Sequence, residues 1–174
     1  EKLCKQYESI LILDEVQSGY GRSGKFFAFQ HHGINPDIIT TAKGMGNGFP
    51  IGGVLISPKF TASYGLLGTT FGGSHLACAA GIAVLDVMQS KNLIDNVKEV
   101  SQYFFDNINQ IPEIIKVKGR GLMLGVEFDF DVSALRKTMI MDKHIFTGSA
   151  NNKNLLRILP PLTITKDAID TFIV

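Results

Sequence analysis

An α/β fold followed by a smaller α+β unit is predicted for this chain, on three observations. Short apolar runs ending in polar residues alternate with helical stretches over the first half of the 174 residues. Such runs suit strands buried on both faces of a mostly parallel sheet, and strand–helix alternation is the pattern of α/β architecture. A boundary falls near residues 89–92, and beyond Pro112 two strand patterns flank Gly119-Arg120-Gly121 as in an antiparallel pair. Finally, 45% hydrophobic and 19% charged residues make an ordinary globular balance. The expected units are 1–90 and 91–174.

In the first unit, Ser9-Ile-Leu-Ile-Leu13 reads as a strand buried on both faces, with Asp14-Glu15 at its carboxyl end. Gly19, Gly21 and Gly24 make a flexible loop, and Phe26 to His32 a short helix closed by Gly33. Asp37 to Thr41 is a second strand, with Lys43 just past it, and Gly53 to Ser57 a third, stopped by Pro58. His75 to Gln89 is small and apolar nearly all round, as in a buried helix.

In the second unit, Asn92 to Ile111 is a more amphipathic helix ending before Pro112. Ile114 to Val117 and Leu122 to Phe130 are antiparallel strands. Ser133 to Asp142 is a helix capped by Ser133, Leu155 to Leu159 a strand, and Thr165 the cap of the last helix. That helix runs to Val174 and the chain opens without Met, so a piece of a longer protein is expected.

Seventeen basic and 16 acidic residues leave a charge of +1, without the basic bias of a nucleic-acid partner. No apolar run has the ~18 residues of a membrane span. Two cysteines make no disulfide framework and suit a reducing, cytoplasmic setting. The four histidines lack companions at metal-ligand spacing, so no metal site is expected.

Asp14 and Lys43 carry the first chemical suggestion. Each ends a strand, and one right-handed crossover brings parallel strand ends to one sheet edge, where α/β folds place ligands. The plain alternative is a strand-end lysine pointing to water. Lys43-Gly-Met-Gly-Asn-Gly48 follows, with glycines that let backbone approach a bulky ligand, or that simply make a mobile loop. It is neither a P-loop nor a dinucleotide fingerprint. Thr69-Thr70-Phe-Gly-Gly73 precedes a helix start and suits a phosphate, although either threonine could be a plain N-cap. Arg157 sits in an otherwise apolar strand, where an unpaired arginine is expensive. Its fork of donors fits a substrate carboxylate; a structural salt bridge or an edge arginine is the alternative.

Taken in order, these segments resemble one family. Leu13-Asp-Glu-Val-Gln-Ser-Gly-Tyr-Gly-Arg-Ser-Gly24 is similar to the class-III aminotransferase signature, and Pro36-Asp-Ile-Ile-Thr-Thr-Ala-Lys43 through Gly53 to its lysine segment. Thr-Thr-Phe-Gly-Gly73 and Leu155-Leu-Arg-Ile-Leu-Pro-Pro-Leu162 follow in the family's order. The resemblance implies the pyridoxal-phosphate-dependent fold type I: part of the large, mostly parallel-sheet domain, then the small C-terminal α+β domain. By the same resemblance, Lys43 would hold pyridoxal 5′-phosphate covalently and move the substrate proton. Asp14 would bond the protonated ring nitrogen, Val16 pack on a ring face and Gln17 contact the ring hydroxyl. Thr70 would bind the phosphate across a homodimer interface, and Arg157 the α-carboxylate of glutamate or 2-oxoglutarate.

Phe146-Thr-Gly-Ser149 and the Arg157 segment look most like acetylornithine or succinylornithine aminotransferases of arginine biosynthesis. Ornithine and 4-aminobutyrate aminotransferases are the runners-up; a non-catalytic homologue, or a decarboxylase or racemase on this scaffold, are further alternatives. Ser18 and Ser23 stand where many relatives have Thr, and Ser74-His75 replaces a common Asn-Pro. The family's Gly-Thr phosphate loop and ring-stacking aromatic fall upstream of this chain, so negligible turnover is expected of these residues alone.

Overall fold

The computed structural model describes residues 1–173. Two compact units form, one from Glu1–Gly21 with Lys25–Asn92, the other from Arg22–Gly24 with the residues from Leu93 onward.

The first unit opens with a helix that periodicity did not reveal, α1 (Lys2–Gln6), held by a Lys5–Glu1 ion pair at 2.6 Å one turn apart. Five residues are too few for an apolar stripe to repeat. Three strands follow, β1 (Ile12–Asp14), β2 (Ile38–Thr41) and β3 (Gly53–Ile56), in the order β1-β2-β3. β1 runs parallel to β2, with Ile12 opposite Ile38 and Asp14 opposite Thr40. β3 is antiparallel to β2, so the sheet is mixed. Asp37 pins the entry to this sheet: its Oδ2 accepts from the Leu11 N–H at 2.8 Å, and Lys59 pairs with it at 2.5 Å.

Two expectations of burial change here. The strand expected over Ser9–Leu13 starts at Ile12, and Ile12 is 56% exposed. β1 and β3 are the outer strands of a three-stranded sheet, and Val54, Leu55 and Ile56 on β3 are also exposed. α2 (His75–Ser90) is apolar on all sides but not buried. It hides only Ala77, Gly81 and Met88, one stripe, while Leu76, Ile82 and Val87 face outward. A helix apolar all round needs cover on several sides; these residues supply one.

The second unit closes a core. α3 (Leu93–Ile108) is amphipathic as expected, burying Val97, Val100, Phe104 and Ile108 at helical spacing. They meet the buried alternates Leu124, Val126 and Phe128 of β5 (Met123–Phe128) and Leu156 and Ile158 of β6 (Leu155–Ile158). Each such aliphatic side chain, fully buried, is worth roughly 1.5–3 kcal/mol. β4 (Ile114–Arg120), β5 and β6 form an antiparallel sheet in that order.

α4 (Ser133–Met141) starts at Ser133, which is inside the helix and is not its cap. Asp131 does the capping work, its Oδ1 accepting from the Ser133 N–H at 2.9 Å. A side-chain hydrogen bond from Ser133, and then this backbone bond, hold the Asp131 carboxyl below the usual aspartate value. α5 (Lys166–Ile173) is capped as expected, the Thr165 hydroxyl accepting from the Ala168 N–H at 3.4 Å. The last expected residue of that helix, Val174, lies outside the described residues. Cys4 and Cys78 are free thiols. No described helix is long and apolar enough to cross a membrane.

Candidate active site

The parallel register of β1 and β2 brings two chemical groups to one end of the sheet. Asp14 closes β1 opposite Thr40, and Lys43 follows two residues after β2 ends. Past Asp14 the chain turns at once, because Asp14 Oδ1 accepts from the Val16 N–H at 2.9 Å. This Asx turn leaves Val16 and Gln17 half-buried beside an exposed Asp14.

Glu15 anchors that turn, a role the sequence reading did not assign. It is 3% exposed, and its carboxylate accepts from the Ser18 hydroxyl at 2.5 Å and from the Ala28 and Phe29 N–H groups at 3.0 and 2.9 Å. The available signal was alternation: a residue directly after Asp14 points to the opposite side of the strand. Tyr20 is buried in the same loop, and burial pushes its phenol above the ordinary value.

Lys43 opens a single 3₁₀ turn, Lys43–Met45, with φ at +42°. A non-glycine residue there carries strain of about 1–2 kcal/mol. The turn is tied down by the Lys43 carbonyl, which accepts from the Gly46 and Asn47 N–H groups at 3.2 and 3.1 Å. The side chain is exposed, and its ammonium enters no ion pair or hydrogen bond among the described residues. Gly44 and Gly46 serve the protein's own packing first. A Cβ at Gly44 would lie 3.1 Å from Tyr20 Cβ, and one at Gly46 only 2.2 Å from the Phe49 carbonyl oxygen.

Thr70 lies in an irregular, exposed stretch before α2. It does not cap that helix. Ser74 does, accepting from the Ala77 N–H at 3.4 Å, so the simple capping role for Thr69 or Thr70 is removed.

In the second unit, Arg157 occupies β6 between buried Leu156 and Ile158. Alternation turns it to the open face, where it is exposed, so it avoids the burial feared for an arginine in an apolar strand. No carboxylate pairs with it among the described residues, so these residues do not supply a structural salt bridge. Gly125 of β5 is its register partner on one side, and Gly148 bridges to it on the other. Arg22, contributed by the three-residue segment Arg22–Gly24, donates from Nη1 to the carbonyls of Leu122, at 3.4 Å, and Pro160. Among the described residues no cluster of three potential metal ligands occurs.

The first unit thus brings Asp14, Val16, Gln17 and Lys43 to one sheet edge, while Arg157 belongs to the second unit. Compared with known families, residues 1–174 match the aminotransferase class-III model throughout. The chain belongs to the class-III aminotransferase family. It is 41% identical to the acetylornithine aminotransferase of Aquifex aeolicus over 177 residues, covering 98% of this chain and 44% of that protein. It is 37% identical to the acetylornithine aminotransferase of Bacillus subtilis over 175 residues, covering 97% and 45%. Among solved structures, the ornithine aminotransferase of Toxoplasma gondii superposes with a TM-score of 0.86 at 28% identity, covering 98% of this chain and 42% of that one. The Plasmodium falciparum ornithine δ-aminotransferase gives 0.86 at 30% identity, covering 99% and 47%. The fold is therefore the fold type I of this family. The chain spans less than half the length of the curated relatives it matches.

Proposed function

We propose that this chain is part of an enzyme that transfers the terminal amino group of N-acetylornithine to 2-oxoglutarate, using pyridoxal 5′-phosphate, as a step of arginine biosynthesis in the cytoplasm. The observation that carries the chemistry is the shared sheet edge of Asp14 and Lys43. The choice of donor rests on acetylornithine aminotransferases about 40% identical along nearly the whole chain. On this reading, residues 1–90 are the C-terminal portion of the large cofactor-binding domain and 91–174 belong to the small domain. Ornithine as donor is the second reading, favoured by the ornithine aminotransferases among the superposable structures, but at 27–30% identity it has weaker support.

The residues present fit the cofactor. Asp14 offers a carboxylate at the strand end, with Oδ1 engaged by Val16 N–H and Oδ2 bonded to no described residue. Lys43 offers an ammonium without a competing anion, on a strained backbone of the kind that clusters at functional sites. When bound, pyridoxal phosphate supplies a conjugated ring that takes up electron density from the reacting carbon. Asp14 would keep a proton on the ring nitrogen by its negative charge. The Lys43 amine would carry the proton that leaves the substrate carbon, as a general base and then a general acid. Val16 would cover one ring face and Gln17 hydrogen-bond the ring hydroxyl. Thr70 would contact the phosphate from a second copy of the chain, which makes a homodimer part of the reading. Arg157 would hold the carboxylate of glutamate or 2-oxoglutarate with two parallel bonds.

The test uses the full-length protein carrying these residues. Borohydride treatment should leave a pyridoxyl adduct on the peptide containing Lys43, and N-acetylornithine should be consumed faster than succinylornithine, ornithine or 4-aminobutyrate. A colourless protein with no adduct would make it a non-catalytic homologue. An adduct with preference for another donor would keep the chemistry and overturn the substrate.

A further inference from the structure

Gly148 has an unusual environment for a glycine. Its φ lies outside the left-handed region, so no left-handed strain bars a side chain there. What bars a side chain is Arg157. A Cβ at Gly148 would fall 2.8 Å from Arg157 Nε, 3.3 Å from Nη2 and 3.4 Å from Arg157 Cβ, and these are its three nearest atoms. The two residues form an antiparallel bridge, Gly148 N–H donating to the Arg157 carbonyl at 2.8 Å and Arg157 N–H to the Gly148 carbonyl at 3.2 Å. The bridge is itself anchored, because Arg136 of α4 donates from Nε to the carbonyl of Thr147 at 2.9 Å. The stem of Arg157 therefore crosses a bare patch of backbone whose place is fixed by α4 and by β6.

We infer that Gly148 is a positioning residue: by lacking a side chain it sets where the Arg157 guanidinium lies, and so sets affinity for the carboxylate of the amino acceptor. The inference rests on the reading of Arg157 as the carboxylate-binding residue. A fork that grips a carboxylate through two parallel bonds must be held within about 0.5 Å and 10–20°. A methyl group at 148 drives Nε from 2.8 Å toward the 3.4–4 Å of ordinary contact, a displacement larger than that tolerance. Because the atoms that must move are the far end of a flexible side chain, folding is spared while binding is not.

The experiment compares wild type, Gly148→Ala, Arg157→Ala and the double variant in the full-length protein. Binding of glutarate, a five-carbon dicarboxylate with no group to react, is measured by calorimetry, together with KM and kcat for 2-oxoglutarate and the urea unfolding midpoint. Gly148→Ala should weaken glutarate binding and raise KM by about ten-fold, as loss of one charge-assisted hydrogen bond does. The rise in KM should exceed any fall in kcat, the unfolding midpoint should hold, and adding Gly148→Ala to Arg157→Ala should change nothing further. If Arg157→Ala weakens glutarate and Gly148→Ala does not, the inference fails and the reading of Arg157 stands. If Arg157→Ala leaves glutarate binding untouched, the reading of Arg157 fails and takes the inference with it. A Gly148→Ala protein that unfolds more easily, or an additive double variant, gives Gly148 a structural role and overturns the inference.

Discussion

Asp14 and Lys43 leave the same end of one sheet, because β1 and β2 run parallel with Asp14 level with Thr40. This register is what makes a joint role for the two possible. Asp14→Asn is the sharpest probe of it. Asparagine keeps an oxygen for the Val16 N–H, so the fold should change by less than about 0.5 kcal/mol. The loss of charge should cut kcat of the full-length enzyme by about 10²–10³-fold, the scale of one lost electrostatic contact to the reacting system. Steady-state kinetics beside a denaturation curve checks both halves.

Glu15 should behave in the opposite way. Glu15→Ala strips partners from the Ser18 hydroxyl and the Ala28 and Phe29 N–H groups around a buried site. Stability should fall by about 3 kcal/mol. Urea unfolding reads this directly, and a variant as stable as wild type would remove Glu15 from its anchoring role.

Asp37 should give a stability that depends on acid. Lys59 at its carboxylate, and then the Leu11 N–H, hold its pKa below the usual aspartate value in the folded chain. The folded protein therefore releases this proton more readily than the unfolded one, so the contribution is complete above the unfolded value of about 3.9. It disappears as pH drops from there through the lower folded value. Asp37→Asn should flatten that part of the stability curve below pH 4, measured as urea midpoints between pH 5 and 2.

Arg22 is a half-buried cation that donates to two main-chain carbonyls, and burial lowers its pKa from the ordinary arginine range. Arg22→Met should keep the stem and lose the bonds, lowering stability by about 1–3 kcal/mol. Arg22→Lys should recover only part of this, since one ammonium cannot reproduce the planar fork. Thermal melts should rank wild type above Arg22→Lys, and Arg22→Lys above Arg22→Met.

Local patterns were enough for several features. Alternation in Leu124, Val126 and Phe128, the helical spacing of Val97, Val100, Phe104 and Ile108, and the cap at Thr165 are visible because each depends on neighbours within a few residues. Asp14, Lys43 and Arg157 were legible as candidates because charged residues at strand ends or within apolar runs are exceptions that need a reason. Burial of α2 and β1 is not legible in the sequence, since hydrophobicity reports what a segment can bury and not what is present to cover it. Ser133 has the residue type of a cap but lies inside α4, because Asp131, two residues earlier, accepts from its N–H.

Residue order alone was sufficient for the strand and helix sequence after α1, the family and a short roster of candidate groups, all of which reside in local periodicity and motif spacing. The parallel register that aligns Asp14 with Thr40, the three bonds at Glu15, and the bare glycine beneath Arg157 came only with the folded chain. Each joins residues separated by loops whose path is settled by packing at a distance, and no local propensity encodes where two such segments meet.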